Sequence, residues 1–114
     1  MAKDQAVERP TKRTEHRIVF ATRQAEKGWR DLRATALSAL ADAWDALTRE
    51  PEASTPTCHP LKDDLGTVAV GGVAYVRRQY ELPGGARLWY YVTLGRPGTV
   101  HLIDAHTHHP NATK

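Results

Sequence analysis

The sequence contains a single cysteine, Cys58, so no disulfide can form within the chain. It has no apolar run approaching the roughly 18 residues that span a bilayer. Met1 to Glu15 is charged and lacks the apolar segment of a secretory leader. These absences predict a cytoplasmic protein without a membrane anchor. Neither a C-x-x-C nor an H-E-x-x-H spacing occurs, which removes the commonest zinc signatures. There is no internal repeat and no low-complexity tract.

What is present is enough for one domain. The chain has 114 residues, of which 40% are hydrophobic, sufficient for a modest core. Sixteen Lys and Arg stand against 13 Asp and Glu, and six histidines add charge as pH falls. A mild positive excess suits an anionic partner, nucleic acid or an acidic protein, although a net charge of +3 is also ordinary for a soluble domain.

Residues 1–15 mix charges around Pro10 and read as a flexible arm preceding a domain over residues 16–114. Arg17 to Thr22 is a β-branched apolar run and reads as a first strand. Ala25, Gly28, Trp29 and Leu32, then Leu37, Leu40, Trp44 and Leu47, recur at helical spacing up to Pro51. The region from about Gln24 to Glu50 is one long helix, or two helices with Thr35 as the second N-cap. The tryptophans of this stretch read as core. Glu52 to Pro60, rich in Pro, Thr and Ser, reads as a loop.

After it the period becomes two. Val68–Val70 and Val73–Leu82 flank Gly71-Gly72 as a hairpin. Pro83-Gly84-Gly85 turns into a strand over Ala86–Leu94, and a Gly95–Gly98 turn leads to a last strand over Thr99–Thr107. The fold class is α+β: an N-terminal strand, one or two helices, then an antiparallel meander with the helices on one sheet face. Pairing Leu82 with Ala86 and Leu94 with Thr99 sets Glu81 opposite Arg87, Gln79 opposite Trp89, Arg77 opposite Tyr91, Arg87 opposite His106 and Trp89 opposite Asp104. Alternation then assigns Ala74, Val76, Tyr80, Leu82, Leu88, Tyr90 and Val92 to the helix side. The other face carries Arg77, Gln79, Glu81, Arg87, Trp89, Tyr91, Asp104 and His106. Cations interleaved with rings suit single-stranded RNA, the cations on phosphates and the rings on bases. A solvated face with a Glu81–Arg87 cross-strand pair fits the same pattern.

His59-Pro60-Leu61-Lys62-Asp63-Asp64-Leu65-Gly66 resembles the P-L-K-x-x-L-x-G segment of the YoeB-like branch of the RelE/ParE superfamily, toxins of bacterial toxin–antitoxin pairs. In order, Arg77-Arg78 resembles the family's paired arginines, and Arg87-Leu88-Trp89-Tyr90 its R-L-V-Y strand. Leu102-Ile103-Asp104-Ala105 with His106-Thr107-His108-His109 resembles its last strand and histidine-bearing end. The resemblance implies a RelE-like fold and a ribosome-dependent mRNA endonuclease working without metal or cofactor. It implies Arg87 on the phosphate, His108 or His109 as C-terminal acid or base, and His59 where relatives carry a glutamate base. Lys62, Arg77, Arg78, Trp89 and His106 would bind RNA. The implied partners are an acidic antitoxin covering Arg77, Arg78 or Arg87, mRNA and the ribosome, with a homodimer or a toxin–antitoxin assembly. No tyrosine follows the terminal histidines, which keeps a ParE-like gyrase inhibitor, or a binding module without chemistry, as alternatives. A metal on His106, His108 and His109, and a Cys58–His59 nucleophile pair, are the remaining rivals.

Overall fold

A computed structural model describes residues 4–108. Strand β1 (His16–Phe20) leads into helices α1 (Arg23–Thr35) and α2 (Leu37–Arg49). Then come β2 (Cys58–Pro60), β3 (Thr67–Val70), β4 (Val73–Val76), β5 (Arg78–Glu81), β6 (Arg87–Thr93) and β7 (Gly98–His106). Five strands form one sheet in the order β1-β7-β6-β5-β2, with β1 parallel to β7 and the other pairs antiparallel. The α+β class and the meander are as expected. Among the described residues no helix is long and apolar enough to cross a membrane.

Thr22, expected to end the first strand, instead starts α1. Its hydroxyl accepts from the Ala25 N–H at 3.0 Å and donates to the Ile103 carbonyl at 2.7 Å. One side chain thus satisfies an orphan helix donor and pins the helix start to β7. The helical region divides in two, but Thr35 is not the second cap. It is the last residue of α1, and its hydroxyl donates back to the Asp31 carbonyl. The break falls at Ala36, whose N–H closes α1 on the Leu32 carbonyl and whose own carbonyl accepts from Leu40.

Ala25, Leu32, Leu40, Ala43 and Leu47 bury the helical stripe against Leu82, Leu88, Tyr90, Val100, Leu102 and Ala105 of the sheet. Each fully buried leucine here contributes about 1.5–3 kcal/mol. Gly28 permits the close approach of α1 to β7: a Cβ at this position would lie 2.0 Å from the Ala105 carbonyl oxygen. Of the two helical tryptophans, Trp29 packs against the core as expected and Trp44 does not. Trp29 is half-buried and Trp44 is exposed, the pair meeting edge-on with Phe20 along the helix flank.

The segment expected as a loop hides an edge strand. Cys58, His59 and Pro60 pair with Tyr80, Gln79 and Arg78 of β5. The hairpin forms on Gly71 and Gly72, both at positive φ (58° and 80°), the combination that a two-residue turn of this hand requires. It does not continue into the main sheet as expected. At Arg77 the chain pairs with neither strand of β5–β6: its N–H bonds the Gly66 carbonyl and its carbonyl accepts from Leu61. Val73–Leu82 is therefore two strands in two sheets. Ala74 and Val76 are exposed on the small sheet rather than packed on the helices.

The register of the central pair is as expected for Arg87–His106 and Trp89–Asp104, although the turn is not. Thr93, not Leu94, faces Thr99, and a bulge between Trp89 and Tyr90 restores the offset. Of the arm, residues 4–15 form no helix or strand. Glu15, buried at its end, accepts from both Arg9 guanidinium nitrogens (2.9 and 3.1 Å) and from the Lys12 N–H (2.8 Å). Those hydrogen bonds hold the Glu15 carboxyl below the usual carboxylate range.

Candidate functional site

The face of the sheet turned away from the helices is ordered by strand register into rows. Glu81, Arg87 and His106 stand side by side on β5, β6 and β7. One step along lie His59, Gln79, Trp89 and Asp104, on β2, β5, β6 and β7. Because successive side chains alternate, Leu88 and Tyr90 point into the core while Arg87, Trp89 and Tyr91 point into this site.

The face is not open. The β3–β4 hairpin folds towards it: Tyr75 stacks on Tyr91 with centroids 4.8 Å apart, and Tyr91 stacks on His101 at 4.5 Å. The Arg77 guanidinium lies 5.6 Å from the Trp89 ring centre, a cation–π distance. The Trp89 indole N–H donates to Gln79 Oε1 at 2.9 Å, and the His106 ring meets Trp89 edge-on at 4.4 Å. Trp89 and Tyr91 are only 8% and 6% exposed. Their faces are taken up by protein, so Trp89 is a buried support for Arg77 and His106 and not a platform for bases. The sequence pattern placed these rings on the right face; it held no sign that a hairpin would cover them.

Arg87 is likewise 6% exposed. Its Nη1 lies 3.1 Å from Glu81 Oε1, and among the described residues its Nε has no hydrogen-bond partner. The reading of Arg87 as a solvent-facing side chain is corrected: it is a buried guanidinium on a half-exposed carboxylate. His106 Nε2 is 3.7 Å from Asp104 Oδ2. Burial pushes the His106 imidazole below the ordinary histidine range, and Asp104 partly opposes it. Asp104 also accepts from Gln24 Nε2 at 2.9 Å, a link from α1 that no sequence signal announced.

Of the other candidates, His59 is half-buried at the β2 edge, and its Nδ1 is 3.0 Å from the Pro60 carbonyl oxygen. A carbonyl only accepts, so Nδ1 is the donor in this contact. Lys62 and His108 are exposed, and Arg77 is half-buried. Arg78 is not in the site. It points to the opposite face, is buried, and donates through Nε to the Pro51 carbonyl at 2.9 Å and through Nη2 to the Ala53 carbonyl. Neighbours on a strand face opposite ways, so an arginine pair cannot serve one surface. His109 lies outside the described residues. Cys58 is a core thiol 3.2 Å from the Tyr90 hydroxyl, on the face opposite His59, so the two do not form a dyad. Among the described residues no three His, Cys, Asp or Glu side chains are gathered as a metal site.

A strand, two helices and an antiparallel meander make up an α+β fold that a solved structure shares. The chain superposes on a YoeB/ParE toxin from Agrobacterium tumefaciens with a TM-score of 0.59, covering 82% of this chain and 99% of that one. The two share 18% of their residues, so the likeness is one of fold. No protein-family model and no curated protein matches the sequence.

Proposed function

We propose that this chain is the toxin of a toxin–antitoxin pair and cuts mRNA on the ribosome without a metal ion. The observation that carries the reading is Arg87, a guanidinium anchored in the sheet face away from the helices, with titratable side chains on the strands to either side. Metal-free RNA cleavage needs such a set. A base takes the 2′-hydroxyl proton, the 2′-oxygen attacks phosphorus, an acid protonates the departing 5′-oxygen, and a cation holds the extra negative charge. A guanidinium meets phosphate oxygens in two parallel hydrogen bonds. Arg77 and Lys62 extend positive charge along the path of the RNA backbone. His59 stands at the β2 edge of the same face, and His108 is exposed.

A second reading has its own support. Arg87 is already paired with Glu81 and nearly buried, as suits a scaffold, and a binding toxin that inhibits DNA gyrase needs no catalytic arginine. Induced expression in bacteria with mapping of mRNA 5′ ends separates the two. Codon-phased cuts, with cleavage in vitro that survives excess EDTA, are expected. Intact mRNA with a DNA-damage response would replace the nuclease with the inhibitor.

A further inference from the structure

We infer that the proton-transfer pair of this nuclease is Glu81 and His106, one on each side of Arg87, in place of His59 and the C-terminal histidines. The inference rests on the endonuclease reading above and sharpens it.

Cleavage in line places the attacking 2′-oxygen and the leaving 5′-oxygen on opposite sides of one phosphorus. A hydrogen bond of about 2.7 Å at each end, with the O–P–O line between, separates base from acid by roughly 9 Å. Strands lie about 4.8 Å apart, so groups on β5 and β7 are separated by about 9.6 Å with β6 midway. Glu81, Arg87 and His106 occupy one row across those three strands. Arg87 therefore stands where the phosphate's outer oxygens would be, with a carboxylate on one side and an imidazole on the other. His59 belongs to the next row and stands two strands from Arg87, so their backbones are roughly 12 Å apart.

The side chains fit these roles. Glu81 is 37% exposed and touches Arg87 at 3.1 Å, so a phosphate that takes over the guanidinium donors leaves the carboxylate beside it. The His106 side chain is 23% exposed, its Nε2 is buried and has no hydrogen-bond partner among the described residues, and the ring is held by the Trp89 edge, which Gln79 fixes in turn. The charged groups around the pair are Arg87 on β6, Asp104 on β7 and Arg77 over Trp89. In the reaction the Glu81 carboxylate accepts the 2′-hydroxyl proton as the 2′-oxygen bonds to phosphorus. The P–O5′ bond breaks, and protonated His106 gives its proton to the 5′-oxygen. The products are a 2′,3′-cyclic phosphate and a 5′-hydroxyl. Glu81 is left protonated and His106 neutral, and proton exchange with water resets both.

The test uses ribosomes programmed with a short synthetic mRNA and the full-length protein. Glu81→Gln and His106→Asn are each expected to lose about 10²–10⁴ in cleavage rate. Both should still bind an uncleavable mRNA methylated at the 2′-oxygen. With sulfur in place of the 5′-oxygen, His106→Asn should recover, because a thiolate leaves without a proton; a merely structural His106 would not respond. If Glu81→Gln does not fold, Glu81→Asp is read instead, a slowed cut being expected. Full-rate cutting by any of the Glu81 or His106 variants, or no recovery with the sulfur substrate, overturns the pair while leaving the nuclease standing. A wild-type protein that leaves every mRNA intact overturns the nuclease reading and the pair with it.

Discussion

Arg87 Nη1 and Glu81 Oε1 are 3.1 Å apart across neighbouring strands, and the two residues differ sharply in exposure: the arginine is buried, the glutamate half in water. The pair is thus a charged lining whose cation is fixed and whose anion reaches solvent.

Arg87→Lys keeps the charge and loses the planar fork. Cleavage should fall by about 10²–10³, the typical cost of one transition-state charge contact, while the melting temperature changes little. Arg87→Ala should cut the rate at least as much and also lower the melt, because it removes a buried side chain and its pairing with Glu81. Parallel cleavage and melting curves check both. A fully toxic, normally folded Arg87→Ala would leave the arginine with a scaffold role only.

Gly28→Ala tests the seat of α1 on β7. The added Cβ falls 2.0 Å from the Ala105 carbonyl oxygen, so helix or strand must shift. Overpacking of this kind typically costs about 1–3 kcal/mol, and each kcal/mol lowers the melting temperature of a domain this size by roughly 4–8 °C. An unchanged melt would show that the helix does not sit this close.

Stability should depend on pH through His101 and His106. Burial lowers both imidazoles, with Arg17 adding to the effect at His101 and Asp104 opposing it at His106. A histidine lowered in the folded state binds its proton more readily when unfolded, so stability rises with pH through this window. It should be fully present above the unperturbed value of about 6.5 and decline as pH falls below it. Thermal melts from pH 8 to pH 5 should show the decline, and His101→Gln with His106→Gln should flatten it. Glu15 acts lower on the scale: its depressed carboxyl adds stability that is lost only in the acid carboxylate range.

An antitoxin should be acidic where it meets Arg77, which lies over Trp89, and the exposed Lys62; Arg78 and Arg87 are too buried to be its main contacts. Co-expression with the neighbouring open reading frame should yield a complex and restore growth. Arg77→Glu should slow association and reduce its salt dependence, since exposed charges act mainly on the encounter rate. Failure of any such complex to form would weaken the toxin reading itself.

Much of this molecule could be read from local pattern. The helical stripe from Ala25 to Leu47, the glycine turns and the rows Glu81–Arg87 and Gln79–Trp89 follow from spacing alone. A side-chain period and a turn length are properties of a few adjacent residues, and they bound the register of a hairpin. The pairing Arg87–His106 was reached from a turn misplaced by one residue, corrected by a bulge that no residue type marks.

What only the tertiary structure decided is exposure and company. That the chain leaves the main sheet at Arg77 depends on bonds to Gly66 and Leu61, more than ten residues away. That detour brings Tyr75 onto Tyr91 and Arg77 onto Trp89, and so turns a face that reads as solvent-exposed into a mostly buried one. It separates Arg77, over the site, from Arg78, which holds the loop at Pro51. Amino-acid type sets which groups can ionise, bond or stack. Which of them meet is set by non-local packing, because burial of a polar face depends on what the rest of the chain lays across it.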